Sequence, residues 1–218
     1  MYALIDADSL VYSAAFSAQT KDTQGSVVPL GEGLAIHYLD SSVEDIVNLF
    51  DDFDLYLTPD ITFRSHISRY KQGRAHRPYH YQTLRNRLTE HWEASMWDNI
   101  EADDILSIQG WKAFRECRDD VVLAHIDKDI DQVPGKHFNF RKGEFYYLTE
   151  EEANYNFWVQ MLMGDQADNI QGIPGCGKKN AEKILNESED WESTVREIYT
   201  IGRHDYETTY TMLRLLDE

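Results

Sequence analysis

Short apolar runs alternate with longer stretches of helical spacing along most of the chain. Tyr2–Ala7 reads as a buried strand. Ser9–Gln19 places Leu10, Val11, Ala14 and Ala15 at helical intervals, with Asp8 or Ser9 as the N-cap. A polar, glycine-containing link runs to about Gly33, and Leu34–Phe50 again has helical periodicity. Asp54–Leu57 is a second predicted strand, closed by Thr58-Pro59-Asp60. A basic segment ends at Pro78, which stops any helix before it. Tyr79–Trp92 is predicted helical, Ala94–Trp97 a third strand, and Glu101–Arg115 a helix despite Gly110. Val121–Ile126 is a continuous apolar strand, and His137–Leu148 alternates as a hairpin turning at Lys142-Gly143. Helices follow at Glu150–Met163, Lys178–Glu187, Asp190–Thr200 and Asp205–Leu216, the first two separated by a glycine hairpin at Gly172–Gly177. Strands alternating with helices predict an α/β fold, a mostly parallel central sheet flanked by helices.

The 218 residues suffice for one sizeable core or a core with a small appendage. A mean hydropathy of −0.57 and the lack of a long apolar run exclude a helical membrane span. The first residues meet an acid at Asp6 with no basic region before it, so no secretory signal is expected and the location is read as cytoplasmic. Cys117 and Cys176 lie far apart and read as reduced thiols.

The formal net charge of −18 argues against a polyanion as partner. One segment runs the other way. From Arg64 to Arg87 the chain carries Arg64, Arg69, Lys71, Arg74, Arg77, Arg85 and Arg87 and no acid, which predicts a local cationic patch that contacts an anion.

Acids, meanwhile, recur where predicted strands end. Asp6/Asp8 and Asp127/Asp129 follow two strands, and Asp60 follows another. In open α/β sheets ligands bind beyond the carboxyl ends of the strands. Glu101-Ala102-Asp103-Asp104 opens a helix, where acids also serve simple capping; Glu101 and Asp104 share a face and Asp103 projects to the side. Gathered at one sheet edge, these carboxylates would repel one another unless cations sat between them. All-oxygen ligation suits Mg²⁺ or Mn²⁺ rather than Zn²⁺. Asp165 and Asp168 run into Gly172-Ile173-Pro174-Gly175-Cys176-Gly177, a turn that opens a helix and offers backbone N–H groups to a phosphate.

The ordered set resembles the FEN family: flap endonucleases, phage 5′ nucleases and the 5′-nuclease domain of bacterial DNA polymerase I. The matching pieces are Ile5-Asp6-Ala7-Asp8-Ser9, Asp60 before Phe63-Arg64, Tyr70-Lys71-Gln72-Gly73-Arg74, Glu101-Ala102-Asp103-Asp104, Asp127-Lys128-Asp129, and Asp165 with Asp168 through Gly175. The resemblance implies a PIN-like catalytic domain over 1–148 with a helical arch at about 64–92. A helix–two-turn–helix (H3TH) DNA-binding region would follow over 149–218.

It further implies Asp6, Asp60, Glu101 and Asp103 around a first Mg²⁺ or Mn²⁺, and Asp127, Asp129 and Asp165 around a second. Asp104 and Asp168 would be outer ligands. Lys71 and Arg74 would stabilise charge at the scissile phosphate, with Arg77 placed to share that role. Tyr12 would stack on a terminal base, or simply be a core tyrosine. Arg64, Arg69, Tyr70, Gly172, Gly175, Gly177, Lys178 and Lys179 would contact DNA, with K⁺ at the hairpin.

The implied activity is a divalent-metal-dependent 5′-3′ exonuclease or flap endonuclease in replication or repair. Its substrates would be 5′ flaps, nicked or gapped duplex and 5′ ends, including RNA primers in hybrids. A PIN-type ribonuclease and a non-catalytic branched-DNA-binding module are the alternative readings.

Overall fold

The computed structural model describes residues 1–218 except 68–69 and 72–75. Its centre is strand β1 (Tyr2–Asp6), whose apolar Ala3, Leu4 and Ile5 are buried because the strand is paired on both edges and covered on both faces. After β1 come α1 (Asp8–Ser17), a two-stranded ribbon of β2 (Gln19–Lys21) and β3 (Val27–Pro29), α2 (Glu32–Val47) and β4 (Asp52–Tyr56). Next are a 3-10 turn (Phe63–His66), α3 (Tyr81–His91), α4 (Ala102–Arg115), β5 (Val121–His125), a second 3-10 turn (Lys128–Gln132), β6 (Gly135–Asn139) and β7 (Glu144–Leu148). Then follow α5 (Glu150–Met163), the minimal hairpin of β8 (Gly164–Asp165) and β9 (Ile170–Gln171), α6 (Lys178–Asn186), α7 (Trp191–Gly202) and α8 (Tyr206–Leu213).

The main sheet has the order β4-β1-β5-β6-β7, parallel except for the antiparallel edge strand β7. Alternation sorts its side chains between two cores. Ala3, Ile5, Leu55, Val122 and Ala124 pack under α1, α2 and α3. Leu4, Tyr56, Val121 and Leu123 face α4 and the second 3-10 turn. Gly110 lets α4 lie against the sheet: a β-carbon there would come within 2.7 Å of Val133 and 3.0 Å of Leu123. A third core joins α5 through α8 around Phe157, Met161, Leu185, Val195 and Tyr199. The chain leaves β1 to one side, to β4, and returns to the other, to β5. The crevice at that switch point opens beyond Asp6 and the end of β5.

Several predicted elements change. α1 begins at Asp8 with Ala7 at its cap; the Asp8 carboxylate is not a cap because it accepts from the Thr58 N–H (3.1 Å) and from Arg85 (3.2 Å). Ala94–Trp97 is not a strand, since Ser95 alone bridges to β4 and its edge. The polar link hides the β2–β3 ribbon. The final helix stops at Leu213, because the chain beyond it bonds across the molecule to Arg64 and Asp104. Residues 81–91 of the expected arch form α3, one face of which belongs to the core: Tyr81, Leu84 and Leu88 are buried with α1 and α2.

Candidate active site

Each strand end delivers its acid because the sheet stops there and the following backbone is held by the acid itself. Asp6 accepts from the Asp8 N–H (3.1 Å), and Asp127 accepts from the Asp129 N–H (3.0 Å) as cap of the second 3-10 turn. At the start of α4, Asp103 accepts the Asp104 N–H (2.8 Å) and faces the sheet edge. The β8–β9 hairpin brings the remaining acids. Gly164 and Gly172 let its backbones touch: a β-carbon on Gly164 would fall 2.2 Å from the Gly172 nitrogen. The turn between them is closed by Asp165, which accepts from the Ala167 N–H (2.7 Å).

These elements enclose one open cleft of about 480 Å³, lined by Asp6, Asp8, Asp103, Asp127, Asp129 and Asp168, with Tyr12, Thr58, Lys71 and Lys128 on its walls. Asp165 reaches its rim through a 2.8 Å ion pair with Lys128. Burial, then the neighbouring carboxylates, push Asp6 up to about 7. Burial and Asp127 do the same to Asp129. Burial, Asp104 and Glu101 raise Asp103 well above the usual carboxylate range. A surplus of crowded carboxylate oxygens with no nitrogen or sulfur donors is the ligand chemistry of hard divalent cations, so the cleft fits Mg²⁺ or Mn²⁺.

Glu101 and Asp104 lie deeper. Arg64, 1% exposed, bonds Glu101 (3.2 Å) and grips both oxygens of Asp104, one of them at 2.9 Å. Asp104 also accepts the Leu216 N–H (2.9 Å). Glu101 takes further bonds from Lys71 Nζ (2.8 Å) and the Tyr70 hydroxyl (2.6 Å), which pull its carboxyl below the usual range against the cost of burial. Tyr12 sits on the cleft wall, its ring 5.1 Å from Tyr81. Lys71 takes a left-handed backbone (φ 54°), and its N–H donates to the Asp168 carbonyl (2.9 Å), joining the basic segment to the hairpin.

Three expectations are corrected. Asp60 is 73% exposed and paired with Arg77 (2.9 Å), outside the cleft. Arg64 cannot reach a duplex; it is an interior counter-ion. The basic run is not a free cationic patch among the described residues: Arg64, Lys71, Arg77, Arg85 and Arg87 pair with Asp104, Glu101, Asp60, Asp8 and Asp40. In a chain of net charge −18 acids claim these cations, buried ones in the case of Arg64 and Lys71, partly buried ones for Arg85 and Arg87, and the exposed Asp60 for Arg77. Arg69 and Arg74 lie outside the described residues.

At the other end of the hairpin, Ile173-Pro174-Gly175-Cys176 forms a turn closed by a 3.0 Å bond, with Gly175 at φ 73°. Gly177 caps α6 without a side-chain hydrogen bond, so the first N–H groups of α6 receive no bond from the cap side chain; Lys178 and Lys179 beside them are exposed. Sequence reasoning missed Asp8, Lys128 and Gln160 as site residues. Gln160 donates to Asp129 (2.6 Å) and accepts from Gln132 (2.9 Å). Asp8 and Lys128 were visible within the Asp6-Ala7-Asp8 and Asp127-Lys128-Asp129 motifs, but a glutamine inside an apolar helix carries no such signal.

No family model matches the chain. DNA polymerase I of Bacillus caldotenax is 29% identical over 215 residues, covering 84% of this chain and 23% of the relative. The 5′-3′ exonuclease of Buchnera aphidicola is 29% identical over 111 residues, 47% of this chain and 38% of the relative. The chain thus spans about a quarter of the length of that polymerase. A bacteriophage T5 flap endonuclease, solved as a pseudo-enzyme–product complex with DNA and metal ions, superposes with a TM-score of 0.61 at 16% identity, covering 99% of this chain and 88% of that one. In sequence this chain is similar to 5′-3′ exonucleases and polymerase I, and its fold is the PIN-like α/β fold of the phage 5′ nucleases.

Proposed function

We propose that the chain is a divalent-metal-dependent 5′ nuclease, a 5′-3′ exonuclease or flap endonuclease acting on DNA. The observation that carries this reading is the convergence of Asp6, Asp8, Asp103, Asp127, Asp129 and Asp168, from four separate parts of the sequence, on one cleft that also holds Lys71. Similarity to 5′-3′ exonucleases and to a flap endonuclease solved with DNA and metal ions supports it.

Asp6, Asp103 and the Lys71-paired Glu101 would hold one Mg²⁺ or Mn²⁺, and Asp127, Asp129 and Asp165 a second, with Asp8 and Asp168 in support. Bound there, such ions supply an activated water and stabilise the oxygens of an in-line phosphodiester displacement. The chain's own residues do the rest. Lys71, freed from Glu101, offsets charge on the scissile phosphate, and Arg74 is proposed to assist. Tyr12 offers a ring to a terminal base. The turn at Gly172–Gly177 presents the N–H groups of α6 and the ammonium groups of Lys178 and Lys179 to a duplex backbone, with K⁺ as the expected ion of that turn. Residues 1–148 would then carry catalysis and 149–218 the duplex grip.

Labelled flap, nicked and single-stranded DNA, and a matching RNA–DNA hybrid, incubated with Mg²⁺ and with Ca²⁺ test the reading. Asp103→Ala should abolish Mg²⁺-dependent cleavage of a 5′-flap duplex and leave binding in Ca²⁺ largely intact. Wild-type cleavage by that variant removes the metal assignment. Cleavage of RNA alone favours the ribonuclease alternative, and binding without cleavage favours the non-catalytic one.

A further inference from the structure

Two buried histidines have no part in the cleft chemistry. His125 ends β5 and His137 lies in β6, 1% and 0% exposed, and their rings meet with His125 Nε2 2.8 Å from His137 Nδ1. The outer nitrogen of each ring is committed. His125 Nδ1 lies 2.7 Å from the Asp127 carbonyl, and His137 Nε2 lies 2.9 Å from the Val133 carbonyl. A carbonyl only accepts, so each outer nitrogen carries its ring's proton. In two neutral rings the inner nitrogens are then bare, and their lone pairs oppose each other in a dry interior. A cation between them removes the conflict. Further oxygen donors converge on the same point. The Tyr146 hydroxyl lies 3.2 Å from His125 Nε2 and 2.6 Å from Asp131 Oδ1. One ligand atom each from His125, Asp131 and His137 falls within 4.8 Å of the others.

We propose that His125, His137 and Asp131, with Tyr146 beside them, form a second metal site separate from the acidic cleft and suited to Zn²⁺. Two imidazoles and one carboxylate are a borderline-soft donor set, unlike the all-oxygen cleft. The outer N–H of each ring, given to a backbone carbonyl, is the arrangement that fixes the tautomer and orientation of metal-bound histidines. Tetrahedral bonds of about 2.0–2.1 Å separate ligand atoms by roughly 3.3 Å, so the two rings need to part by only about half an ångström. The 3-10 turn Lys128–Gln132 would be held from behind: Asp127 by its carbonyl on His125, Asp131 by the ion. That turn carries Asp129 into the cleft, so the site acts as a brace. The metal site stands whether or not the nuclease reading does.

The test uses the full chain, stripped with chelator and dialysed against Zn²⁺ in large excess Mg²⁺ as competitor for the all-oxygen cleft. One zinc per chain should remain, with imidazole ligands visible by X-ray absorption, and Co²⁺ in its place should give intense tetrahedral visible bands. His137→Gln should lose both signals, while Asp103→Asn keeps them. Because His137 is a core residue, Asp131→Asn, which is half-buried, is the paired variant and should bind zinc at least tenfold more weakly. Complete displacement of zinc by Mg²⁺ overturns the proposal. So does zinc binding that survives both His137→Gln and Asp131→Asn but not Asp103→Asn, or a proton shared between the two rings in the zinc-treated chain, read by ¹⁵N NMR.

Discussion

Arg64 and Asp104, forty residues apart, form a forked ion pair in the interior, with one Arg64 nitrogen 2.9 Å from Asp104 Oδ1. The same guanidinium bonds Glu101, the Thr211 carbonyl (3.3 Å) and the Arg214 carbonyl (2.7 Å). It therefore ties the start of α4, which aims Asp103 at the cleft, to the end of the chain. Replacing Arg64 by Met strands two buried carboxylates and should cost about 3–5 kcal/mol. Urea unfolding measures this, and adding Asp104→Asn should recover part of the loss. Unchanged stability in Arg64→Met would mean that the pair does not organise the interior.

The crowded acids predict an inverted pH dependence for the metal-free protein. Asp6 and Asp129 are raised from an ordinary 3.8 to about 7. For a carboxyl raised on folding, the stabilising contribution is fully present below the unfolded value and is lost as pH rises through the folded one. In EDTA, Tm should therefore fall between pH 6 and pH 8. Millimolar Mg²⁺ should raise Tm more at pH 8 than at pH 6, since the ion takes the place of the protons. Scanning fluorimetry checks both signs, and a metal-free Tm that climbs from pH 6 to 8 contradicts the crowding.

Gln160 is a positioning residue on this reading. Its amide holds one oxygen of Asp129 at 2.6 Å, and through Gln132 it connects to the Leu213 carbonyl (2.9 Å). Gln160→Leu should weaken activating Mg²⁺ by roughly 10–100-fold with recovery at high Mg²⁺. A purely structural role would instead lower activity at all Mg²⁺ concentrations. A Mg²⁺ titration of cleavage separates the two.

Lys71 forms an ion pair with Glu101, at 2.8 Å on the cleft wall. If it turns to the scissile phosphate, Lys71→Ala should slow single-turnover cleavage by more than tenfold, on the order of 10²-fold, with little change in DNA affinity. An unchanged single-turnover rate removes it from the chemistry.

Much of this molecule was readable from order and spacing. The runs Tyr2–Ala7 and Val121–Ile126 are continuous and apolar because their strands are covered on both faces, and that alone predicts a parallel sheet with acids at its ligand-binding edge. Lys142-Gly143 marked the β6–β7 turn because glycine takes the positive φ (68°) there. Period and turn chemistry are local, so the chain states them in any context. What the chain could not state is which charges meet. Seven cations without an acid between Arg64 and Arg87 looked like an anion-binding face, yet each described one sits on a carboxylate from elsewhere in the chain. The same limit hid the pairing of His125 with His137 and of Gln160 with Asp129. Burial makes an unpaired charge or polar group costly, and only the packed tertiary structure decides which distant partner satisfies it.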